Sequence, residues 1–307
     1  MLHSNKLIIG NRVFNWGERT YLMGILNLTP DSFSGDGLLS DPNEGKNDAD
    51  FESFIEKSLE QAQRFINAGA DLLDIGGEST RPGATKVDLD GELSRVIPIV
   101  KALTEAFDIP ISIDTYKHQV AHAALAAGAN LVNDVWALNA DPKMAGTIAE
   151  FGVPVILMHN RSSWAHADIK EKLGGRYVGV PYDDLIEDIK RELIESVTIA
   201  HSAGIPDENI ILDPGIGFGK TIEQNLQLID SLPEIRSLGY PILYGPSRKS
   251  FIGYTLDLPP DQRLAGTAAA VAIGIERGAD IVRVHDVEFM HQVAKMTDAI
   301  VRKPSPR

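Results

Sequence analysis

The chain of 307 residues contains no cysteine. Disulfides, thiolate metal sites and cysteine nucleophiles are therefore excluded. Positive charge is also scarce: 29 Lys and Arg stand against 43 Asp and Glu, a formal net charge of −14. Phosphate backbones attract clustered Lys and Arg, so this balance argues against a general nucleic-acid binder. It leaves room for an anionic small molecule, which needs only a local cluster of positive charge. No apolar run approaches the roughly 20 residues that span a bilayer. The opening "MLHSNKLIIG" lacks the apolar core of a signal peptide. The expectation is a soluble, cytoplasmic protein. No linker divides the chain, which reads as one domain over 1–307 with a disordered tail at 303–307.

What is present is a repeat of short apolar runs and longer helical patterns. The runs begin at Tyr21, Asp71, Pro110, Asn130, Val153, Asn209, Tyr240 and Asp280, eight in all. Several are apolar on both faces, as parallel strands buried between layers should be. Between them, "DFESFIEKSLEQAQRFINAGA" carries a mostly apolar stripe at helical spacing and stops at Gly69. The segment from Tyr182 to Gly204 behaves alike. Eight strand–helix units in about 250 residues predict a TIM (β/α)₈ barrel. An open doubly wound sheet is the alternative if fewer strands form. Residues 1–19 hold two β-like runs around Gly10-Asn11, a hairpin placed to cap the barrel floor. The long connections 35–50 and 160–181 follow strand ends, on the face where such barrels carry function.

Polar residues at strand ends should converge on that mouth. They are Asn27, Asp74 with Glu78, Asp114, Asn133 with Asp134, His159, Asp213, Ser247 to Lys249, and Arg283 with His285. A buried carboxylate is costly unless paired, and a helix cap or a core ion pair would explain Asp114 or Asp213 singly. Both at one mouth beside Asn133 suit a heterocycle with several N–H donors. Arg283 and His285 share a strand face and suit a phosphate or diphosphate. The stretches "NLTPDSFSGDG" and "GGESTRPGA" offer fixed turns with polar side chains. "ILDPGIGFGKT" imitates a nucleotide loop, but G-x-x-x-x-G-K-[ST] requires glycine where Pro214 stands. Its glycines form a strand-to-helix turn after Asp213, and Lys220 and Thr221 begin a helix.

These motifs, together with "ISIDTYK", "GPSRKSFIG" and "RLAGTAAAVAIGIERGADIVRVHDV", resemble those of the dihydropteroate synthases, in the family's order from residue 22 to 287. The resemblance implies a TIM-barrel transferase of folate biosynthesis, commonly a homodimer and a target of sulfonamides. The family joins (7,8-dihydropterin-6-yl)methyl diphosphate to 4-aminobenzoate. Carried over by motif, Asp114, Asn133, Asp213, Lys249 and Arg283 bind the pterin. Asn27, Arg283 and His285 hold the diphosphate, with Mg²⁺ at Asn27. Phe33, Thr80, Arg81, Pro82, Phe218 and Ser250 shape the aminobenzoate site, where Ser250 at a helix start suits the carboxylate. Asp114, Lys249, Arg283 and His285 carry the catalytic roles. The stretch "LMHNRSSW" departs from the Met-Gln-Gly of many relatives, and His159 is given no catalytic role. A pterin-dependent methyltransferase or a non-catalytic pterin-binding paralogue would not need the full set of loop and anion residues.

Overall fold

The computed structural model describes residues 2–28, 48–80, 83–162, 167–170 and 172–302, with side chains of the first helix described from residue 51. The chain opens on an antiparallel hairpin, β1 (Lys6–Ile9) and β2 (Arg12–Asn15), turned at Gly10. Then come β3 (Tyr21–Asn27), α1 (Asp48–Asn67), β4 (Leu72–Gly76), α2 (Leu89–Ala106), β5 (Ile111–Asp114) and α3 (His118–Ala126). They are followed by β6 (Leu131–Asp134), α4 (Met144–Phe151) and β7 (Val155–Met158). A second hairpin, β8 (Ala167–Lys170) and β9 (Gly174–Tyr177), interrupts the alternation before α5 (Leu185–Ser202) and β10 (Ile210–Asp213). The chain closes with α6 (Ile222–Asp230), α7 (Leu232–Arg236), β11 (Leu243–Tyr244), α8 (Ser250–Leu256), α9 (Leu264–Glu276), β12 (Ile281–Val284) and α10 (Val287–Val301).

Eight of these strands form one parallel sheet in the order β10-β7-β6-β5-β4-β3-β12-β11. A parallel bridge between Leu212 and Ile242 joins the two ends and closes the barrel. All eight sequence-predicted strands are present, and the doubly wound alternative is excluded. The local reasons are ordinary chemistry. Asp184 caps α5 by accepting from the amides of Ile186 and Glu187. Thr221 and Gln224 form a reciprocal capping box on α6.

Two apolar layers result. The outer one lies between strands and helices and includes Leu73, Val132, Leu157 and Leu212. The inner one fills the barrel floor with Tyr21, Met23, Leu72, Leu131, Ile156, Ile211, Leu243 and Ile281. Leu7, Ile9, Phe14 and Trp16 of the hairpin complete that cluster, so the hairpin does plug the floor. Full burial of each such side chain is worth about 1.5–3 kcal/mol. No helix among the described residues is long and apolar enough to cross a membrane.

Candidate active site

Residues two apart on a strand share a face, so the strands that fill the floor also line the mouth. One cavity there is bordered by Asn27 of β3, Asp114 of β5, Asn133 of β6, Asp213 of β10 and Arg283 of β12. Thr80, Phe218, Lys249, Ser250 and His285 complete the wall from the loops. Every described residue given a role by the resemblance therefore borders one space; of the other strand-end residues expected at the mouth, Glu78, Ser247 and Arg248 also border it, while Asp74, Asp134 and His159 do not. Phe33, Arg81 and Pro82 lie outside the described residues.

Arg283 organises one side. Its Nε donates to Asp74 Oδ2 at 2.6 Å and its Nη2 to Asp114 Oδ2 at 2.8 Å. Among the described residues its Nη1 makes no hydrogen bond, which leaves one guanidinium nitrogen for a ligand. Asp74 is fully buried and also accepts from Asn133 Nδ2 at 3.1 Å. That bond sets the Asn133 amide with its oxygen as the group left for a ligand. Burial, reinforced by the neighbouring Asp74, raises Asp114 above the usual carboxylate range, against the pull of Arg283. Asp74 was noted in the sequence only as a strand end. No residue pattern says which of several carboxylates will take a given arginine.

The opposite side is built by the loop after β10. Gly215 has φ of +70°, and a Cβ there would lie 1.8 Å from the carbonyl oxygen of His159. Gly217 has φ of +84°, and its Cβ would lie 2.8 Å from the Lys249 stem. Only glycine meets both conditions, so the glycines serve a tight turn, as expected. Gly215 N donates to Asp213 Oδ1 at 2.7 Å. Burial raises Asp213 above the usual carboxylate range, while Lys249 opposes the shift. Lys249 donates to the Ile216 carbonyl and sits 4.5 Å from the Phe218 ring centroid. Burial lowers it to about 8. Thr221 begins α6 as its cap, but Lys220 does not join that helix. It is 2% exposed and turns back into the loop. The Gly-Lys-Thr run hid this, because sequence does not reveal the three acceptors waiting there.

The rim holds residues the sequence did not single out. Tyr177 of β9 lines the cavity, donates to the Thr80 carbonyl at 2.7 Å and lies 5.9 Å from the Phe218 ring. Arg263 also lines it, and donates to the carbonyls of Leu258, Arg248 and Leu173. The glycines of "KLGGRY" between alternating residues were the available signal for the β8–β9 hairpin. His285 Nδ1 lies 3.0 Å from Ser247 Oγ, which orients the ring at the cavity wall. Arg248 pairs with Asp286, so its charge is already matched. Among the described residues, the Asn27 side chain makes no hydrogen bond, and no group of three or more acidic or His side chains is gathered to hold a metal.

The profile of the family described as pterin binding enzyme matches residues 23–285. A dihydropteroate synthase of Clostridium beijerinckii is 50% identical over 296 residues, covering 96% of this chain and 99% of its own. One from Bacillus subtilis is 48% identical over 289 residues, covering 94% and 91%. The solved structure of Xanthomonas albilineans dihydropteroate synthase with 4-aminobenzoic acid superposes with a TM-score of 0.83 at 38% identity, covering 98% and 100%. That of Burkholderia cenocepacia dihydropteroate synthase complexed with 7,8-dihydropteroate gives 0.79 at 37% identity, covering 96% of each chain. With its barrel, its cavity and these likenesses in agreement, the chain belongs to the pterin binding enzyme family.

Proposed function

We propose that the chain is a dihydropteroate synthase that joins (7,8-dihydropterin-6-yl)methyl diphosphate to 4-aminobenzoate, releasing diphosphate. The observation that carries this reading is the row of acceptors at the mouth. Asp114, the Asn133 amide oxygen and Asp213 border one cavity with Lys249 beside them. A pterin offers ring N–H and amino donors on one edge and a carbonyl on the other, which matches acceptors with one lysine. Arg283 covers the ring and, with His285, meets the diphosphate.

The step breaks the bond between the pterin methylene carbon and the diphosphate oxygen, whose electron pair leaves with the oxygen. The aniline nitrogen then forms the new C–N bond and loses a proton to solvent. In a dissociative course the methylene carbon carries positive charge, which the carboxylate of Asp114 offsets. Arg283 and His285 stabilise the charge on the leaving group. An aniline attacks as the neutral amine, so no strong base is required. Thr80, Phe218, Ser250 and the rim side chain Tyr177 hold the aminobenzoate and keep water, the competing nucleophile, from the cation. Phe33, Arg81 and Pro82 belong to the same wall in this reading.

Mg²⁺ fits the donor set. The Asn27 amide oxygen is uncommitted, and a hard cation that keeps several waters can take one neutral protein ligand plus diphosphate oxygens. When bound, the ion neutralises charge on the diphosphate. The homodimer is supported by an apolar stripe on α10, where Phe289, Met296 and Ile300 are 44%, 63% and 71% exposed, beside Ile273 of α9. A cytoplasmic location is part of the same reading.

The test is turnover of pterin diphosphate with radiolabelled 4-aminobenzoate and Mg²⁺. Formation of dihydropteroate is expected, with loss on chelation and competitive inhibition by a sulfonamide against 4-aminobenzoate. No product under any condition rejects the synthase reading.

A further inference from the structure

Lys220 lies behind the cavity wall and takes no part in the chemistry above. Its ammonium donates to the Gly215 carbonyl at 2.9 Å and to the Phe218 carbonyl at 3.0 Å, and faces His159 Nδ1 at 3.1 Å. An ammonium has three protons, and all three are placed. Among the described residues no carboxylate touches it. Burial, with Lys249 and Arg161 adding to it and Asp213 opposing, brings Lys220 down to about 7.

His159 can accept from Lys220 at Nδ1 only if its proton is on Nε2. That nitrogen lies 3.1 Å from Glu192 Oε2 of α5. Glu192 is in turn held by Arg161, whose guanidinium lies 4.2 Å from the Tyr182 ring centroid. A run of contacts thus reaches from α5 through the buried ring of His159 to the two loop carbonyls on either side of Phe218's turn. The loop needs this tie. Gly215 and Gly217 adopt backbone conformations that confer little rigidity of their own. Without Lys220 the half-buried Phe218 carbonyl would lose that donor, and the buried Gly215 carbonyl would keep only the Phe218 amide.

We propose that Lys220 and His159 are positioning residues for the aminobenzoate side of the cavity. Lys220 ties the carbonyls of Gly215 and Phe218, and His159 anchors that tie to Glu192, so that together they set where the Phe218 ring stands. The inference rests on the reading of Phe218 as part of the aminobenzoate wall. Glutamine is a chemical equivalent for the anchor. A glutamine could accept from Lys220 with its oxygen and donate to Glu192 with its nitrogen.

Three variants test it: Lys220→Met, His159→Leu and His159→Gln. Steady-state kinetics give KM for 4-aminobenzoate, calorimetry gives Kd for pterin diphosphate, and hydrogen exchange follows the amides of 215–219. Lys220→Met should raise KM for 4-aminobenzoate about ten-fold and leave Kd for pterin diphosphate within about two-fold. His159→Leu should shift KM the same way by a smaller factor, and His159→Gln should restore it to within about two-fold. Amide exchange across the loop should quicken in Lys220→Met and His159→Leu and stay slow in His159→Gln. Equal losses for both substrates, or a glutamine variant no better than the leucine one, would overturn the proposal. Should Lys220→Met fail to fold, the two His159 variants decide. Wild-type protein that makes no product rejects the synthase reading instead. Loop exchange that is unchanged by Lys220→Met or His159→Leu overturns the tie whatever the turnover.

Discussion

The floor and the mouth of the barrel are built from the same strands, two residues apart. β4 passes from Leu72 to Asp74, β6 from Leu131 to Asn133, β10 from Ile211 to Asp213 and β12 from Ile281 to Arg283. All four floor residues are fully buried and pack against the hairpin. At the mouth Asp74, Asn133 and Asp213 are nearly as buried and Arg283 is half-buried, and all four carry charged or amide groups held by hydrogen bonds. Burying such groups costs free energy unless they find partners. The floor therefore supplies stability, and the mouth uses part of it to hold acceptors ready for a ligand. The difference teaches where a substitution should be felt: at the floor in unfolding, at the mouth in binding and rate.

That division can be broken or sharpened by experiment. Leu72→Ala should cost about 2–5 kcal/mol in denaturant unfolding, as large-to-small changes in packed cores do. KM for both substrates should stay within about two-fold. A large change in KM would mean that floor and mouth are not separable. Asp74→Asn should fold, because shape is kept, but Arg283 loses a carboxylate and Asn133 can turn its amide. A fall in kcat/KM of about ten-fold, near 1.4 kcal/mol, is expected, and unchanged kinetics would remove Asp74 from the site. The smallest effect is that of pH. The raised Asp213 should take up a proton above the usual carboxylate range, which weakens pterin affinity on the acid side. The lowered Lys249 loses its proton near pH 8, well before an ordinary lysine, which weakens affinity on the alkaline side. Kd for pterin diphosphate should change by at most about ten-fold per pH unit on each limb. Lys249→Met should flatten the alkaline limb, and an alkaline limb that survives that substitution belongs to another group.

Much of this architecture was legible in the residues. Buried parallel strands are continuous apolar runs, so all eight could be read, as could the hairpin around Gly10-Asn11. Asp114, Asn133, Asp213 and Arg283 stood at strand ends, and a barrel sends such ends to one mouth. What stayed hidden depends on pairing across the fold. The β8–β9 hairpin is short and polar, and its Tyr177 gains meaning only by meeting Thr80 and Phe218. Asp74 was visible as a carboxylate, but its choice of Arg283 and Asn133 is a matter of three-dimensional distance. Lys220 sat in a run that suggested a helix start, and its acceptors come from the loop closing back on itself and from β7's far end. The motif resemblance reached further than periodicity could, because it named a chemistry for the mouth.

The central claim is that the carboxylate of Asp213 reads the pterin while the floor beneath it keeps the barrel folded. Calorimetric titration of Asp213→Ala with pterin diphosphate, alongside its unfolding midpoint, tests this most directly. The account predicts that binding is lost while the unfolding midpoint stays at or above that of the wild type, since a buried carboxylate has been removed. Near-wild-type affinity in that variant would contradict it.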